Sequence, residues 1–385
     1  KININFFMKK LKKSQKLSKK FTNIFVWTYL DEYKNHRNKI LRLVDKVFKS
    51  GNLILGDQVK KFEKSFANYT DNRYGIGVNS GTDALQIALM ANKIKQGDEI
   101  ITVSNTAVPT VSAIVSCNAK PIFVDVNEND FLINCDLIES KINKKTKAII
   151  PVNLYGQSAD YDKINKIAKK YRLKVIEDCA QSTGATYKGR PSGSFGDAAA
   201  FSFYPTKNLG AYGDGGMIVT NKKNLYLESK KLRKYGMSKL YYSEKHGINS
   251  RLDEVQAIIL NYKLAKLNSD IKKRRRIAKI YYDNINCSDL LLPSENKKNF
   301  HAYYVFVVRH KKRKEVMNYL KKNGIFCNIS YPFPIHNMRG YKKQFHRVKD
   351  LKITEKLSKE IFSLPMYPEL NDKKLEKVIN IINKF

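Results

Sequence analysis

A lysine, an aspartate and a glycine-bounded turn stand in chain order at positions where chemistry is possible. Lys207 follows the apolar run Ala198–Ser202 inside Phe201-Ser202-Phe203-Tyr204-Pro205-Thr206-Lys207-Asn208-Leu209. A lysine amine desolvated among aromatics has a lowered pKa and can form a Schiff base. Asp178 ends the apolar run of Val175-Ile176-Glu177-Asp178-Cys179-Ala180-Gln181. A carboxylate buried there needs a cationic partner; a surface loop carboxylate is the other reading. Asn79-Ser80-Gly81-Thr82-Asp83 lies between a strand pattern and a helix pattern. Such a turn bares backbone N–H groups toward an anion, although a plain N-cap explains it equally well. Gly213-Asp214-Gly215-Gly216 lets backbone pass close to a neighbour. Together, an Asp at one strand end and a Ser and a Lys after later strands match pyridoxal phosphate chemistry. The Lys holds the aldehyde, the Asp keeps the pyridine nitrogen protonated, and Ser202 with the Ser-Gly-Thr turn holds the phosphate.

These groups need strand ends to carry them. Short apolar runs recur at Ile76–Val78, Glu99–Val103, Pro121–Val124, Ala148–Val152, Lys174–Ile176, Ala198–Ser202 and Met217–Thr220. Amphipathic stretches such as Asp83–Ala91 and Asp160–Lys170 separate them. This alternation predicts an α/β fold, a mostly parallel sheet covered by helices, with ligands at the carboxyl ends of its strands. Residues 31–69 read as two helices broken at Gly51, and 251–285 as one long helix. The basic run Lys272–Arg276 within it is either a phosphate site or a solvated face. Residues 300–385 read as an α+β lobe: a strand Tyr303–Val308, a helix 313–323, a strand 325–330, Pro-rich turns and a final helix from about 371.

The chain has 385 residues, 42% of them hydrophobic and 11% aromatic, which excludes a disordered chain and supplies core for two lobes. The expected division is a basic N-terminal arm over 1–25, a large lobe over 26–265 and a small lobe over 266–385. The first 22 residues hold eight lysines and no acid, without the apolar core of a signal peptide; Lys1 is no initiator, and Met8 could be one. No apolar run reaches the ~18 residues of a membrane span. Five cysteines (Cys117, Cys135, Cys179, Cys287, Cys327) form no CxxC pair. That scatter argues against a disulfide framework and a structural zinc site, and for a reducing cytoplasm. Seventy-two Lys and Arg against thirty-five Asp and Glu give a net charge of +37. Spread along the chain, this charge reads as a lysine-rich composition rather than a nucleic-acid stripe, and it would still draw in anionic substrates.

From about Trp27 to the C-terminus the sequence resembles the DegT/DnrJ/EryC1/StrS nucleotide-sugar aminotransferases, a branch of the fold-type I pyridoxal phosphate enzymes. The motifs are Leu55-Gly56-Asp57, Asn79-Ser80-Gly81-Thr82-Asp83-Ala84-Leu85, Gly97-Asp98-Glu99, Glu177-Asp178-Cys179-Ala180-Gln181, Ser202-Phe203-Tyr204-Pro205-Thr206-Lys207-Asn208 and Asn249-Ser250-Arg251-Leu252-Asp253. The resemblance implies that Lys207 forms the Schiff base and shuttles the proton, and that Asp178 pairs with the pyridinium. It puts Gln181 near the ring hydroxyl and Gly81, Thr82 and Ser202 on the phosphate. Asn249 would reach the neighbouring subunit's cofactor, so a homodimer with shared active sites is implied. Arg251 holds either a substrate phosphate or an interface salt bridge. Tyr331 and His336, in Tyr331-Pro332-Phe333-Pro334-Ile335-His336, fall near the sugar pocket; His336 is either a substrate contact or a structural histidine. His246 is a further candidate.

Dehydratase relatives carry His at the lysine position, so Lys207 favours transamination. One position departs from the family pattern. The aromatic that often stacks on the cofactor ring is replaced by Ala107 in Val103-Ser104-Asn105-Thr106-Ala107-Val108-Pro109-Thr110. The activity implied is transfer of an amino group from L-glutamate to a keto group of a nucleotide-linked (dTDP, UDP or GDP) deoxyhexose. The amino sugar would serve surface polysaccharide, lipopolysaccharide or secondary metabolites. No membrane, nucleic-acid or metal partner is expected. Two other readings keep the fold: a non-catalytic regulatory relative binding nucleic acid through its basic arm, and an enzyme acting on amino acids.

Overall fold

The computed structural model describes residues 23–342 and 350–385. The basic run of residues 1–22 lies outside the described residues. All seven expected strands form one sheet. They are β1 Tyr74–Val78, β2 Glu99–Val103, β3 Lys120–Val124, β4 Thr146–Ile149, β5 Lys174–Asp178, β6 Ala198–Ser202 and β7 Gly216–Thr220. Their order across the sheet is β1-β7-β6-β5-β4-β2-β3. Strands β2 to β6 pair in parallel, while β7 runs antiparallel to both β6 and β1.

The apolar runs are continuous because both sheet faces are covered. Along β6, Ala198 and Ala200 face one core with Leu85, Ile114 and Ile176. Ala199 and Phe201 face the other, with Phe62, Phe66 and Phe203. Phe66 meets Phe201 and Phe203 edge-on at 4.9 and 5.1 Å. Burying rings of this size contributes roughly 1.5–3 kcal/mol each.

The covering helices include α1 Leu30–Lys49, α2 Asp57–Tyr69, α3 Gly81–Ala91, α4 Val108–Ser116, α5 Tyr161–Tyr171, α6 Lys223–Leu232, α7 Glu254–Leu264 and α8 Leu267–Asn284. The residue before α2 is Gly56, which has no side chain to cap it. Glu254 supplies the cap instead, accepting the Gln58 and Val59 amides at 2.9 and 2.8 Å. That contact fastens α7 to α2 across the chain.

The C-terminal region departs from expectation in several places. The segment 251–285 is two helices, α7 and α8, broken at Ala265-Lys266. No Gly or Pro announces the break, which carries Leu267 and Ile271 into the core. The basic run on α8 is split: Lys272, Lys273 and Arg276 are exposed, as on a solvated face, whereas Arg274 and Arg275 turn inward. Arg274 is buried and donates to the carbonyls of Tyr303, Tyr304 and Met366. Arg275 holds Glu295 and the His301 carbonyl, and Arg276 holds Asp372. The strand read as Tyr303–Val308 is Phe306–Arg309, and 325–330 shrinks to Ile325–Phe326. A helix Lys352–Glu360 leads directly into an unforeseen strand, Ile361–Leu364, antiparallel to Phe306–Arg309. Ile24–Phe25, which the sequence reading put in the arm, pairs in parallel with Ile325–Phe326, and Ile24 is buried. Among the described residues no helix is long and apolar enough to cross a membrane.

Arg274 ties α8 to two separate C-terminal segments. Arg274→Ala takes a charged donor from three carbonyls and should cost about 3 kcal/mol. Urea denaturation checks this; an unchanged midpoint would remove Arg274 as a fastener.

Candidate active site

A cavity of about 240 Å³ opens at the carboxyl ends of β1, β5 and β6. Gly81, Thr82, Asp178, Gln181, Ser202 and Lys207, six of the expected site residues, all line it.

One wall is the start of α3. Ser80 caps that helix, its side chain accepting the Asp83 amide at 3.1 Å. Asp83 in turn accepts the Ser250 hydroxyl at 2.7 Å. Two glycines let the turn press against the sheet. A Cβ on Gly81 would stand 2.8 Å from the Ser202 Cβ, and one on Gly216 would stand 2.3 Å from the Ser80 carbonyl oxygen. The helix dipole and the first-turn amides therefore point to the place where Ser202 ends β6, and a phosphate suits that place.

Asp178 ends β5 and is 4% exposed. It accepts the Thr110 hydroxyl at 2.7 Å and the Ala180 amide at 3.1 Å. Burial pushes its carboxyl above the ordinary aspartate range, while Thr110, Ala180 and the Lys207 charge pull it back. Thr106 stands 2.8 Å behind Thr110, so two threonines one helical turn apart support the acid. Sequence reasoning missed this pair, although the spacing of four across the start of α4 is its signal. The adjacent Glu177 serves a different end. It is fully buried and accepts the amides of Gly193, Phe195 and Gly196, which anchors a loop.

Lys207 sits on the loop between β6 and β7. Its amide donates to the Tyr204 carbonyl at 2.8 Å, and the Ala211 amide donates to Phe203 at 2.8 Å. A Cβ on Gly210 would collide with the Pro205 carbonyl oxygen at 2.4 Å, so this loop closes only with glycine there. The Lys207 amine lies 4.7 Å from the centre of the Tyr304 ring, and the Tyr304 hydroxyl lies 3.0 Å from Thr206. Among the described residues no carboxylate is within 4.0 Å of that amine. Tyr304 was not foreseen; a single tyrosine among 23 carries no signal of its own.

Gln181 is locked at both ends, accepting the Tyr155 amide at 2.9 Å and donating to the Tyr331 hydroxyl. Tyr331 stacks near Tyr155, and both adopt positive φ (67° and 59°). Burial drives the Tyr331 phenol well up from its ordinary range, so it stays protonated. Tyr331 thus reaches the site through Gln181.

The other candidates lie elsewhere. Of the two readings of His336, its hydrogen bonds fit the structural one: the Ser104 hydroxyl binds its Nδ1 at 2.7 Å and Glu355 faces its Nε2 at 3.1 Å. With both ring nitrogens engaged, it joins the end of β2 to the helix Lys352–Glu360 and does not line the cavity. Asn249 and His246 are exposed, and Asn249 bridges to Lys234. Arg251 is half-buried beside them. Ala107 does line the cavity, with Leu85, Pro109, Val152 and Ala180. Tyr204 is the one aromatic among the lining residues, and it is 53% exposed.

The residues present fit pyridoxal phosphate. Amides at a helix start, a hydroxyl, a buried acid wanting a cation and an amine without a carboxylate surround one cavity. Fold and cavity define a fold-type I pyridoxal phosphate-dependent aminotransferase. The DegT/DnrJ/EryC1/StrS aminotransferase family model matches residues 34–383. The chain belongs to that family. It is 46% identical to a dTDP-3-amino-3,4,6-trideoxy-alpha-D-glucose transaminase of Micromonospora megalomicea subsp. nigra, over 94% of this chain and 98% of that one. It is 41% identical to a protein of Geobacillus stearothermophilus named a pleiotropic regulatory protein, over 92% and 96%. The structure of S. venezuelae DesV in complex with a ketimine intermediate superposes with a TM-score of 0.92 at 34% identity, covering 94% of this chain and 98% of DesV.

Because burial raises the Asp178 carboxyl, the folded protein holds its proton more tightly than the unfolded chain. Stability of the cofactor-free protein therefore falls as pH rises from the unfolded value near ~3.9 through the higher folded value, and the loss persists at neutral pH. Asp178→Asn should leave the cofactor-free protein at least as stable as wild type at pH 7. It should weaken pyridoxal phosphate binding about tenfold or more. Thermal melts with and without cofactor measure both effects; a variant that gains as much from cofactor as wild type would contradict the assignment.

Proposed function

We propose that this chain transfers an amino group from L-glutamate to a keto group on a nucleotide-linked deoxyhexose. The observation that carries the reading is the Lys207 amine in one cavity with the buried Asp178 and the start of α3. The names of the relatives support the substrate class: the Micromonospora protein is a dTDP-amino-sugar transaminase, and 98% of it is covered.

Pyridoxal phosphate supplies the electron sink that stores the amino group between donor and acceptor. The chain's own residues supply the rest. The amides of Gly81 and Thr82, with the Thr82 and Ser202 hydroxyls, bind the phosphate. Asp178 would hold the pyridine N–H, and the Thr106–Thr110 chain fixes the acid's position. Gln181, locked by Tyr155 and Tyr331, would face the ring hydroxyl. The Lys207 amine, in the same cavity, would carry the proton that the transfer requires once the cofactor is bound. When unbound to the cofactor it rests 4.7 Å from the centre of the Tyr304 ring.

Asn249 and Arg251 fall outside the cavity of a single chain. This fits a homodimer in which Asn249 completes the partner's site and Arg251 serves the interface or a substrate phosphate. The lobes divide near residue 265, where α7 gives way to α8. The setting we infer is cytoplasmic synthesis of amino sugars for surface polysaccharide, lipopolysaccharide or secondary metabolites. A regulatory, non-catalytic role is the second reading, favoured by the name of the Geobacillus relative. The presence of both Lys207 and Asp178 in one cavity weighs against it.

The test is spectroscopic. The protein loaded with pyridoxal phosphate should show a band near ~420 nm that moves to ~330 nm with L-glutamate, and Lys207→Ala should lack the normal band. Amino-sugar product should then form from dTDP-linked keto sugars. A protein that stays colourless with added cofactor would overturn the enzymatic reading.

A further inference from the structure

A second cavity lies at the β1 edge of the sheet, between α2 and α6, and is larger than the first, at about 480 Å³. Its lining is cationic. Lys60, Lys64, Arg73, Lys230 and Lys234 form an exposed rim, and Arg233 lies at the bottom.

The charges are poorly balanced. Arg233 is 5% exposed and pairs with Glu63, the one carboxylate among the lining residues. Glu63 is already committed, since it also accepts the Gly77 amide at 2.8 Å. Arg233 donates its other bond to the Gly77 carbonyl at 2.8 Å, and its Nε has no partner among the described residues. On the rim, Lys60 has Asp57 at 3.1 Å. Lys230 turns to Tyr226, lying 5.1 Å from the ring centre. Among the described residues Lys64, Arg73 and Lys234 meet no carboxylate within 4.0 Å. Like charges gathered around a concave wall repel one another, and the low-dielectric surface focuses their field into the opening. The buried Arg233 guanidinium behind them adds to that positive field.

We propose that this cavity binds a polyvalent phosphate anion, at a site separate from the cofactor cavity. Several cations spread over the opening suit a chain of phosphates better than a single carboxylate, and the volume lies in the range of small-molecule sites. The phosphates come either from an inorganic polyphosphate or from a nucleotide's phosphate chain. The Arg233–Glu63 pair at the base grips Gly77 on β1, three residues before Ser80, where the cofactor cavity begins.

The experiment is calorimetric titration of inorganic triphosphate into the full chain loaded with pyridoxal phosphate, which occupies the other phosphate site. Lys64→Glu with Arg73→Glu should weaken binding about tenfold or more, whereas Lys314→Glu with Lys373→Glu, an equal charge change at exposed positions elsewhere, should leave it within about threefold. Equal weakening in both variants would reduce the effect to net charge and overturn the site. No binding to wild type at ~150 mM salt would overturn it as well. A parallel titration with ATP separates the sources. Loss of ATP binding in the first variant alone identifies the nucleotide chain, and loss confined to triphosphate identifies the inorganic one. An unchanged cofactor band in every variant keeps this result independent of the catalytic reading.

Discussion

The Asp178 carboxylate ends a parallel strand with nearly all its surface removed from water, and among the described residues the charge that acts on it is the Lys207 amine. Holding an acid there is expensive, because desolvation opposes ionisation by several kcal/mol unless a cation and hydrogen bonds offset it. Much of the surrounding structure serves that acid. Strand β5 must be central, with β4 and β6 on either side, for its end to be buried. Helix α4 must begin where Thr110 can donate, which requires Thr106 one turn earlier. The loop after β6 must close tightly over Gly210 so that Lys207 returns to the same cavity. An acid poised in this way gains most when a protonated ring nitrogen arrives. The cofactor therefore adds stability as well as chemistry.

The seven-stranded sheet was legible because its signals are local. A strand covered on both faces reads as a continuous apolar run, and seven such runs became seven strands. The turn at Gly81, the strand-end acid and the lysine after β6 were legible as types in an order, and the fold gathers them. The C-terminal region was harder. Its strands are short, four residues at Phe306–Arg309 and at Ile361–Leu364, and they pair across some fifty residues of sequence. The strand Ile361–Leu364 follows a helix without a turn residue between them, so no punctuation marked it. The break between α7 and α8 is likewise set by tertiary demand: Leu267 and Ile271 must enter the core, although local propensity would carry one helix through.

The site residues that sequence reasoning missed share a property. Thr110, Tyr155 and Tyr304 act by where another part of the chain presents them. Thr110 acts on an acid 68 residues away, and Tyr304 lies against a lysine almost a hundred residues earlier in the chain. His336 shows the converse. Its place beside prolines near a family motif suggested substrate, yet its ring is spent joining Ser104 to Glu355. A histidine with both nitrogens engaged can position the loop that carries Thr106, and it has no donor or acceptor left for a ligand.

The net charge of +37 also divides once the fold is known. Some cations are buried fasteners: Arg274 binds three carbonyls, and Arg309 holds both Glu128 and Glu360. Others form exposed pairs such as Lys49 with Asp45 or Lys279 with Asp283, which solvent screens and which add little to stability. A lysine-rich composition accounts for that second group, since a solvated surface tolerates lysine at many positions. It does not account for cations converging on one concave wall, where mutual repulsion should have selected against them unless something negative sits between. Composition therefore explains the size of the charge, and geometry has to explain its placement.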